Sequence, residues 1–183
     1  MDAFETVVAS LFEHDGYWVC RSYKVNLERA DKIKIRRKTT PRPELDLLAY
    51  KPQTNELLVI ECKSCLNSSG VCFKEVFRHE GKRTNRYKLF NKPKLRRTVL
   101  HRLRHQLIKS GLCRPRVKIR LCLVAGKIVG KDKAKLQEWF KKKNWDLRDS
   151  TWFDRKFEEL RKSRYEDDVA FVVAKLTFPK SAP

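Results

Sequence analysis

Residues Pro43 to Ser64 read PELDLLAYKPQTNELLVIECKS, and this stretch decides the fold. Two apolar runs rich in Leu, Val and Ile flank the segment KPQTN (residues 51–55), whose Pro and Asn are typical of turns. The stretch therefore predicts a β-hairpin. Because both alternating sets of positions become apolar towards the turn, the hairpin is expected in the centre of a sheet rather than on a surface.

The turn also predicts the register of the hairpin. A four-residue loop over residues 52–55 pairs Lys51 with Glu56. Carried along both strands, this register sets Asp46 opposite Glu61 on one face, with Cβ atoms about 5 Å apart. A slip of one residue would undo the pairing and leave an ordinary charged hairpin, which is the alternative interpretation.

Two facing carboxylates repel each other unless a proton or a cation lies between them. Mg²⁺ relieves this repulsion and binds through one or two carboxylates, water and substrate phosphate. Lys63 falls on the same face, opposite Glu44, which we expect to tether it. A lysine beside a metal ion can orient the attacking water or neutralise charge on a phosphate. These are the components of phosphodiester hydrolysis.

Composition points to a polyanionic partner. The chain has 183 residues, 41% of them hydrophobic, which is enough for one domain with a core. Its net charge of +21 favours nucleic acid, with an anionic membrane surface or a ribosomal context as rivals. No apolar run reaches the ~18 residues of a membrane span, and Asp2 and Glu5 stand where a signal peptide would be basic. We therefore expect no membrane association and a cytoplasmic location.

Hydrophobic periodicity predicts an α/β order of elements around the hairpin. A helix is expected over residues 2–15, a strand over 17–27, a helix over 94–110 and a strand over 116–125. Residues 26–42 are polar and basic and are expected to form a loop or hairpin extension. Further elements are a helix over 131–143, a short edge strand at 145–147, a helix N-capped by Ser150 and a helix over 166–178, where a strand is the alternative.

Three other features have competing interpretations. Glu5 lies at the edge of the buried stripe of the first helix. Either the helix dipole favours an acid in this first turn, or Glu5 reaches a metal site on the adjoining sheet. Cys62 and Cys65 resemble half of a zinc site, with Cys72 and His79 as conceivable partners, but we expect Cys62, Cys113 and Cys122 to be small buried thiols. Phe73 and Phe77 are four residues apart and are expected to be the core face of a short helix.

Basic residues before and after the hairpin are expected to contact a phosphate backbone. The expected nucleic-acid-binding residues are Lys34, Arg36, Arg37, Lys38, Arg42, Lys82, Arg83, Arg86, Lys88, Arg96 and Arg97.

With this order of elements and with acids on the hairpin, the chain resembles the PD-(D/E)xK nuclease superfamily. Asp46 matches the motif aspartate, Glu61-Cys62-Lys63 matches (D/E)-x-K, and Glu5 matches the helix-borne acid that many members carry. Pro43 departs from the pattern, because it stands three positions before the aspartate. The resemblance covers roughly residues 2–125, and the motif region is also similar to an uncharacterised bacterial group of the superfamily.

The resemblance implies a restriction-endonuclease-like fold, in which helices flank a mixed central sheet with an αβββαβ core. The chain would be a single nuclease-like domain over 1–183, with a core at about 2–125 and further C-terminal α/β elements at about 131–178. Asp46, Glu61 and the Cys62 carbonyl would bind Mg²⁺, or Mn²⁺ in its place, with Glu5 binding through water. Lys63 would assist the water, and Gln106 would match a glutamine that some members place on the following helix.

The implied activity is metal-dependent, endonucleolytic hydrolysis of double-stranded or branched DNA. A homodimer is expected by analogy, since cutting both strands often uses two sites. Two other functions stay open from the sequence. One is a non-catalytic nucleic-acid-binding module that retains the fold, and the other is an RNA- or ribosome-associated basic protein, which would leave the acidic pair unexplained.

Overall fold

The computed structural model describes residues 2–36, 42–78, 81 and 83–177. Three of the expected nucleic-acid-binding residues, Arg37, Lys38 and Lys82, lie outside these ranges, as do His79 and the end of the last predicted helix at Phe178.

A five-stranded mixed sheet forms the centre of the molecule, with helices on both sides, which confirms the α/β class. The spatial order of the strands is the order of the chain. The first three strands pair antiparallel, and the last three pair parallel. The strands are β1 (Trp18–Lys24), β2 (Glu44–Lys51), β3 (Glu56–Lys63), β4 (Lys118–Ala125) and β5 (Asp146–Arg148).

Helices connect and cover these strands, and their sequences explain several of the boundaries. Asp2 caps the first helix through its side chain, and Pro93 begins the longest one at a position that needs no backbone N–H. The helices are α1 (Ala3–His14), α2 (Arg29–Lys34), α3 (Lys88–Asn91), α4 (Pro93–Lys109), α5 (Lys133–Lys142), α6 (Ser150–Lys162) and α7 (Val169–Thr177).

The register expected for the β2–β3 hairpin is confirmed, with Lys51 paired to Glu56 and Leu47 paired to Ile60. The paired ladder ends at Leu47, one residue short of Asp46. Side-chain alternation along β2 also changes there. Leu45 belongs to the same core cluster as Leu48, whereas a regular strand would place it with Leu47. The neighbouring strand is irregular at the same level, where Ser22 has φ of 51°.

Two apolar cores lie on the two faces of the sheet. One contains Leu48 and Val59 and is covered by residues of α4 and α5. The other contains Leu58 and Ile60 and is covered by α1, α6 and α7. β3 contributes alternate residues to both cores, which confirms that the hairpin lies centrally in the sheet.

Two local predictions were wrong. The segment over residues 26–42 contains α2, which begins after Glu28 and is stabilised by a hydrogen bond from the Glu28 N–H to Asp31 Oδ2 at 3.2 Å. The N-cap of α6 is Asp149 rather than Ser150, and its Oδ1 accepts the Thr151 N–H. Both cases involve local side-chain hydrogen bonds that hydrophobic periodicity does not show.

Candidate functional site

The site lies where β2 begins and β3 ends, and its centre is the ammonium group of Lys63. Lys63 Nζ lies 2.6 Å from Glu61 Oε1, 2.9 Å from the Cys62 carbonyl oxygen and 3.6 Å from Asp46 Oδ2. The three groups expected to bind a metal ion therefore all converge on one cation. Glu61, Asp46 and Lys63 share one face of the sheet, as the hairpin register predicts.

Asp46 occupies the point where the ladder between β2 and β3 stops. Its Oδ2 accepts a hydrogen bond from the Cys62 N–H at 2.8 Å, so the carboxylate, rather than a backbone carbonyl of β2, satisfies this donor. Where the ladder ends, the Asp46 side chain therefore contacts the backbone of β3. This contact fixes the orientation of Asp46 relative to Glu61, because it joins the two strands one residue from Glu61.

The ionisation of Glu61 is unusual. Burial raises its pKa to about 7, and the negative charges of Asp46 and Glu5 add to this effect, although Lys63 opposes it. Burial alone would lower the pKa of the Lys63 ammonium, but Glu61 and Asp46 raise it above the ordinary value. Lys63 is therefore a stable cation. Glu61 changes its charge near neutral pH, because burial opposes its ionised form.

Glu5 reaches the same site from α1. Burial and the Asp46 carboxylate, in that order, raise the pKa of Glu5, and Glu5 in turn raises that of Glu61. These mutual effects place the first turn of α1 beside the two hairpin acids. The structure thus brings Asp46 and Glu61 to Lys63, and Glu5 acts on both acids through its charge from the first turn of α1.

A cleft of about 390 Å³ opens beside these residues. Glu61 and Lys63 form part of its wall, and Arg86 and Lys88 face them from the segment that leads into α4. The charge of Arg86 opposes, but does not cancel, the rise in the Lys63 pKa, and both cations line the same cleft. A phosphate in the cleft would therefore meet cations from two sides, while the acids stand at one wall.

Two expected contacts of the site are not formed. Glu44, expected to tether Lys63, is paired instead with Lys24 at 3.7 Å on the surface. Gln106 clamps the backbone of Asn26: its Oε1 accepts the Asn26 N–H at 3.2 Å, and its Nε2 donates to the Asn26 carbonyl at 2.7 Å. Both ends of the Gln106 amide are thus bound to the loop before α2, which corrects its expected place in the catalytic site.

The other basic residues divide into two groups. Lys34 and Arg97 line a second cavity of about 470 Å³ between α2 and α4, together with Lys94 and His101, which the sequence analysis did not select. The spacing of Lys94, Arg97 and His101 along α4 places them on one side of that helix. This helical periodicity in the sequence indicates that the three basic side chains lie together. Arg36 is exposed at the end of α2.

Three expected phosphate ligands are held by protein acceptors. Arg83 binds Glu75 Oε1 at 3.1 Å. Arg96 donates to the carbonyl groups of Leu89 and Phe90 and lies over the Trp145 ring at 4.7 Å. Arg42 donates to Asn26 Oδ1 at 3.1 Å. Arg96 thus supports the cleft wall through Leu89, and Arg83 supports the turn that contains Glu75.

The expected burial of Cys62, Cys113 and Cys122 is confirmed. Cys62, Cys65, Cys113 and Cys122 are buried free thiols, and burial raises the pKa of Cys122 to about 12. Within the described ranges, no group of three or more His, Cys, Asp or Glu side chains is arranged as a metal centre. The oxygen donors of Asp46, Glu61 and the Cys62 carbonyl nevertheless fit Mg²⁺, which commonly takes only one or two carboxylates and completes its coordination with water and substrate oxygens.

Comparison of the chain with protein-family models, with curated proteins and with solved structures gave no match. Over the part of the chain that the structure describes, no helix combines the length and apolar character needed to cross a bilayer.

Proposed function

We propose that this protein is a Mg²⁺-dependent phosphodiesterase that hydrolyses DNA, with a restriction-endonuclease-like arrangement of its sheet and site. The observation that carries the proposal is the convergence of the Asp46 and Glu61 carboxylates on the Lys63 ammonium, with Glu61 and Lys63 at the wall of a cleft. A protein that only binds DNA gains nothing from two carboxylates beside a phosphate, because they repel it.

Each residue has a defined part in the proposed reaction. Asp46, Glu61 and the Cys62 carbonyl would hold Mg²⁺, which polarises a phosphoryl oxygen and lowers the pKa of water. Lys63 stabilises the charge that develops on the phosphate when water adds to phosphorus and the ester P–O bond breaks. Arg86 and Lys88 hold the adjoining backbone in the cleft.

The test is cleavage of labelled linear, nicked, branched and single-stranded DNA, and of RNA, with Mg²⁺, with Mn²⁺ and with chelator. Asp46→Asn and Lys63→Met are expected to lower the rate about 10²- to 10⁴-fold, the usual contribution of a catalytic group. Asp154→Asn, an exposed acid of α6, and Lys118→Met, an exposed lysine at the start of β4, are the matched controls. Turnover that survives both site substitutions would contradict the assignment.

One observation favours a second candidate, a nucleic-acid-binding module without turnover. The Lys63 ammonium already lies beside both carboxylates and the Cys62 carbonyl, so it relieves part of the repulsion between the two acids without a metal ion. This candidate predicts salt-sensitive binding, no metal-dependent cleavage of any substrate and unchanged binding by Asp46→Asn. A preference for structured RNA in the same panel would instead favour the RNA-associated function. A homodimer and a cytoplasmic location stay predictions.

A further inference from the structure

Phe77 is an exposed aromatic residue on a rigid support. It lies in a single π-helical turn, Lys74–Arg78, and 42% of its surface is exposed, which contradicts the expected core position. Its ring stacks on Phe73 with centroids 5.2 Å apart and an interplanar angle of 25°, and its edge packs against Trp139 at 5.1 Å. One side of the ring is therefore fixed by two aromatic neighbours, while part of the ring faces solvent.

The first half of the π-helical turn is held in place by hydrogen bonds to other segments of the chain. The Phe73 N–H donates to Asp132 Oδ2 at 3.0 Å, and Asn91 Nδ2 donates to the Glu75 carbonyl at 3.0 Å. Arg83 also binds the Glu75 side chain, which is buried. Because these contacts come from three other segments of the chain, the Phe77 ring is presented in one orientation before any ligand arrives.

The surroundings of Phe77 are cationic. Lys74 and Arg78 are exposed on the same turn, and neither lies beside an acid in an ion pair among the described residues. An exposed ring between two exposed cationic side chains suits a nucleotide, in which a flat base is joined to a negative phosphate. An apolar protein partner would gain from the ring but would leave both charges unpaired at the interface.

This turn belongs to the same edge of the sheet as the candidate site. β3 and β4 are parallel and end together at Lys63 and Ala125, and the segments that follow both strands meet through the Val71–Ile128 bridge. The turn follows directly from the first of these segments, and the same stretch of chain then supplies Arg86 to the cleft. The turn that carries Phe77 and the cleft thus both follow from the same ends of the parallel strands.

We propose that Phe77 is a stacking platform for an unpaired base, so that the preferred substrate carries a single-stranded segment next to the scissile phosphate. This inference rests on the proposed function for the position of the cleaved bond, but not for binding. Duplex bases are already stacked on one another and cannot use the ring. Tailed or branched DNA should therefore bind more tightly than a blunt duplex of the same length.

The test measures binding in chelator, where no turnover is possible, by fluorescence of 2-aminopurine placed in the single-stranded tail of a duplex. Phe77→Leu keeps apolar packing on Phe73 but removes the aromatic face, and it is expected to weaken binding of the tailed DNA about 5- to 150-fold. Phe77→Trp should retain or tighten it, and blunt duplex should bind all three proteins equally. Trp18→Leu is the control, since Trp18 is 69% exposed at the turn end of the hairpin.

Equal weakening of tailed and blunt DNA, or no change in Phe77→Leu, would overturn the inference. Thermal unfolding of each variant, followed by circular dichroism, identifies any loss of binding that comes from misfolding. If Phe77→Leu is misfolded, the test is Phe77→Trp, and weaker binding of tailed DNA by a folded Phe77→Trp would overturn the inference. The outcome is separable from the proposed function. Weaker binding of tailed DNA by Phe77→Leu, without metal-dependent cleavage by wild type, would support the stacking platform and reject the nuclease. Metal-dependent cleavage without an effect of Phe77→Leu on binding would support the nuclease and reject the platform.

Discussion

At the scale of single residues, the site depends on how one lysine balances two acids. The Lys63 ammonium contacts Glu61 Oε1 and lies near Asp46, and all three side chains are more than three-quarters buried. In such surroundings a carboxylate without a cation is costly. The charge state of Glu61 therefore depends on pH and on any cation bound beside it.

The raised pKa of Glu61 predicts a pH dependence of stability in chelator. The folded protein holds the Glu61 proton up to about pH 7, whereas the unfolded chain loses it near the ordinary value of 4.5. Between these values the folded state binds more protons, so the free energy of unfolding must fall as pH rises through this window and level off above it. Glu61→Gln cannot titrate. We expect wild type to lose about 1–3 kcal/mol relative to Glu61→Gln between pH 5 and 8, measured by urea unfolding. Parallel pH profiles would contradict this assignment.

Removal of the lysine predicts a new dependence on metal. Lys63→Met leaves Asp46 and Glu61 without their cation, so the chelated variant should lose about 2–4 kcal/mol of stability at pH 8. Because Mg²⁺ can replace the missing charge, the ion should raise the melting temperature of Lys63→Met more than that of wild type. Lys24→Met, which removes only the exposed pair with Glu44, is the control and should change little. An equal response to Mg²⁺ in all three proteins would show that the acids do not bind it.

At the scale of elements, the exits of β3 and β4 approach each other closely behind the site. The Gly126 N–H donates to the Lys63 carbonyl at 2.9 Å, and a Cβ on Gly126 would lie 2.4 Å from the Ser64 carbonyl oxygen. This contact is backbone against backbone, so it cannot be relieved by rotation of a side chain. Because Gly126 has no side chain, the backbone of β4 can approach β3 closely enough for the Gly126 N–H to hold the Lys63 carbonyl.

Gly126→Ala is expected to destabilise the protein by about 1–3 kcal/mol, because the two strand ends must move apart. Activity, if the proposed function holds, should fall as well, since Lys63 moves with its carbonyl. Gly130→Ala is the matched control, as a Cβ there meets nothing within 4 Å. Chemical unfolding of both variants provides the measurement, and equal stability would argue against the close approach of β3 and β4.

The elements also show what the sequence could and could not predict. The turn residues over 52–55 and the apolar runs beside them predicted the register, because both signals are local. The convergence of Asp46, Glu61 and Lys63 followed from that register. The end of the ladder at Leu47 did not follow, since it depends on the irregular strand beside it. Likewise, Gln106 and Asn26 are far apart in the chain, and no local pattern indicates that one clamps the other.

At the scale of the whole molecule, the net charge of +21 is not uniformly available to a partner. Arg83, Arg96 and Arg102 are bound to protein acceptors, whereas Arg86, Lys88, Lys34 and Arg97 line the two cavities beside α4. The position of the cavity-lining cations, rather than the total number of cations, should decide how a nucleic acid binds. The sequence alone shows only the number.

This distribution predicts a specific salt dependence of binding. Arg86→Gln with Lys88→Gln should weaken binding of DNA of any sequence and reduce the slope of log K against log salt by about 1–2, as expected for two lost phosphate contacts. Lys109→Gln with Lys118→Gln removes the same charge from exposed positions at the end of α4 and the start of β4. Fluorescence anisotropy at several salt concentrations measures both slopes. Equal slopes for the two double variants would indicate a non-specific charge effect.

The register of the hairpin has a further consequence, for the order in which the chain folds. β2 and β3 are joined by a short turn, so their contacts close a small loop, which takes microseconds in isolated hairpins. β4 pairs with β3 only after more than fifty intervening residues are arranged, and contacts so distant in sequence form late. We therefore expect Asp46, Glu61 and Lys63 to meet in the nascent hairpin, before the parallel half of the sheet exists. The pairing of the lysine with its acids would then guide assembly as well as serve the finished molecule.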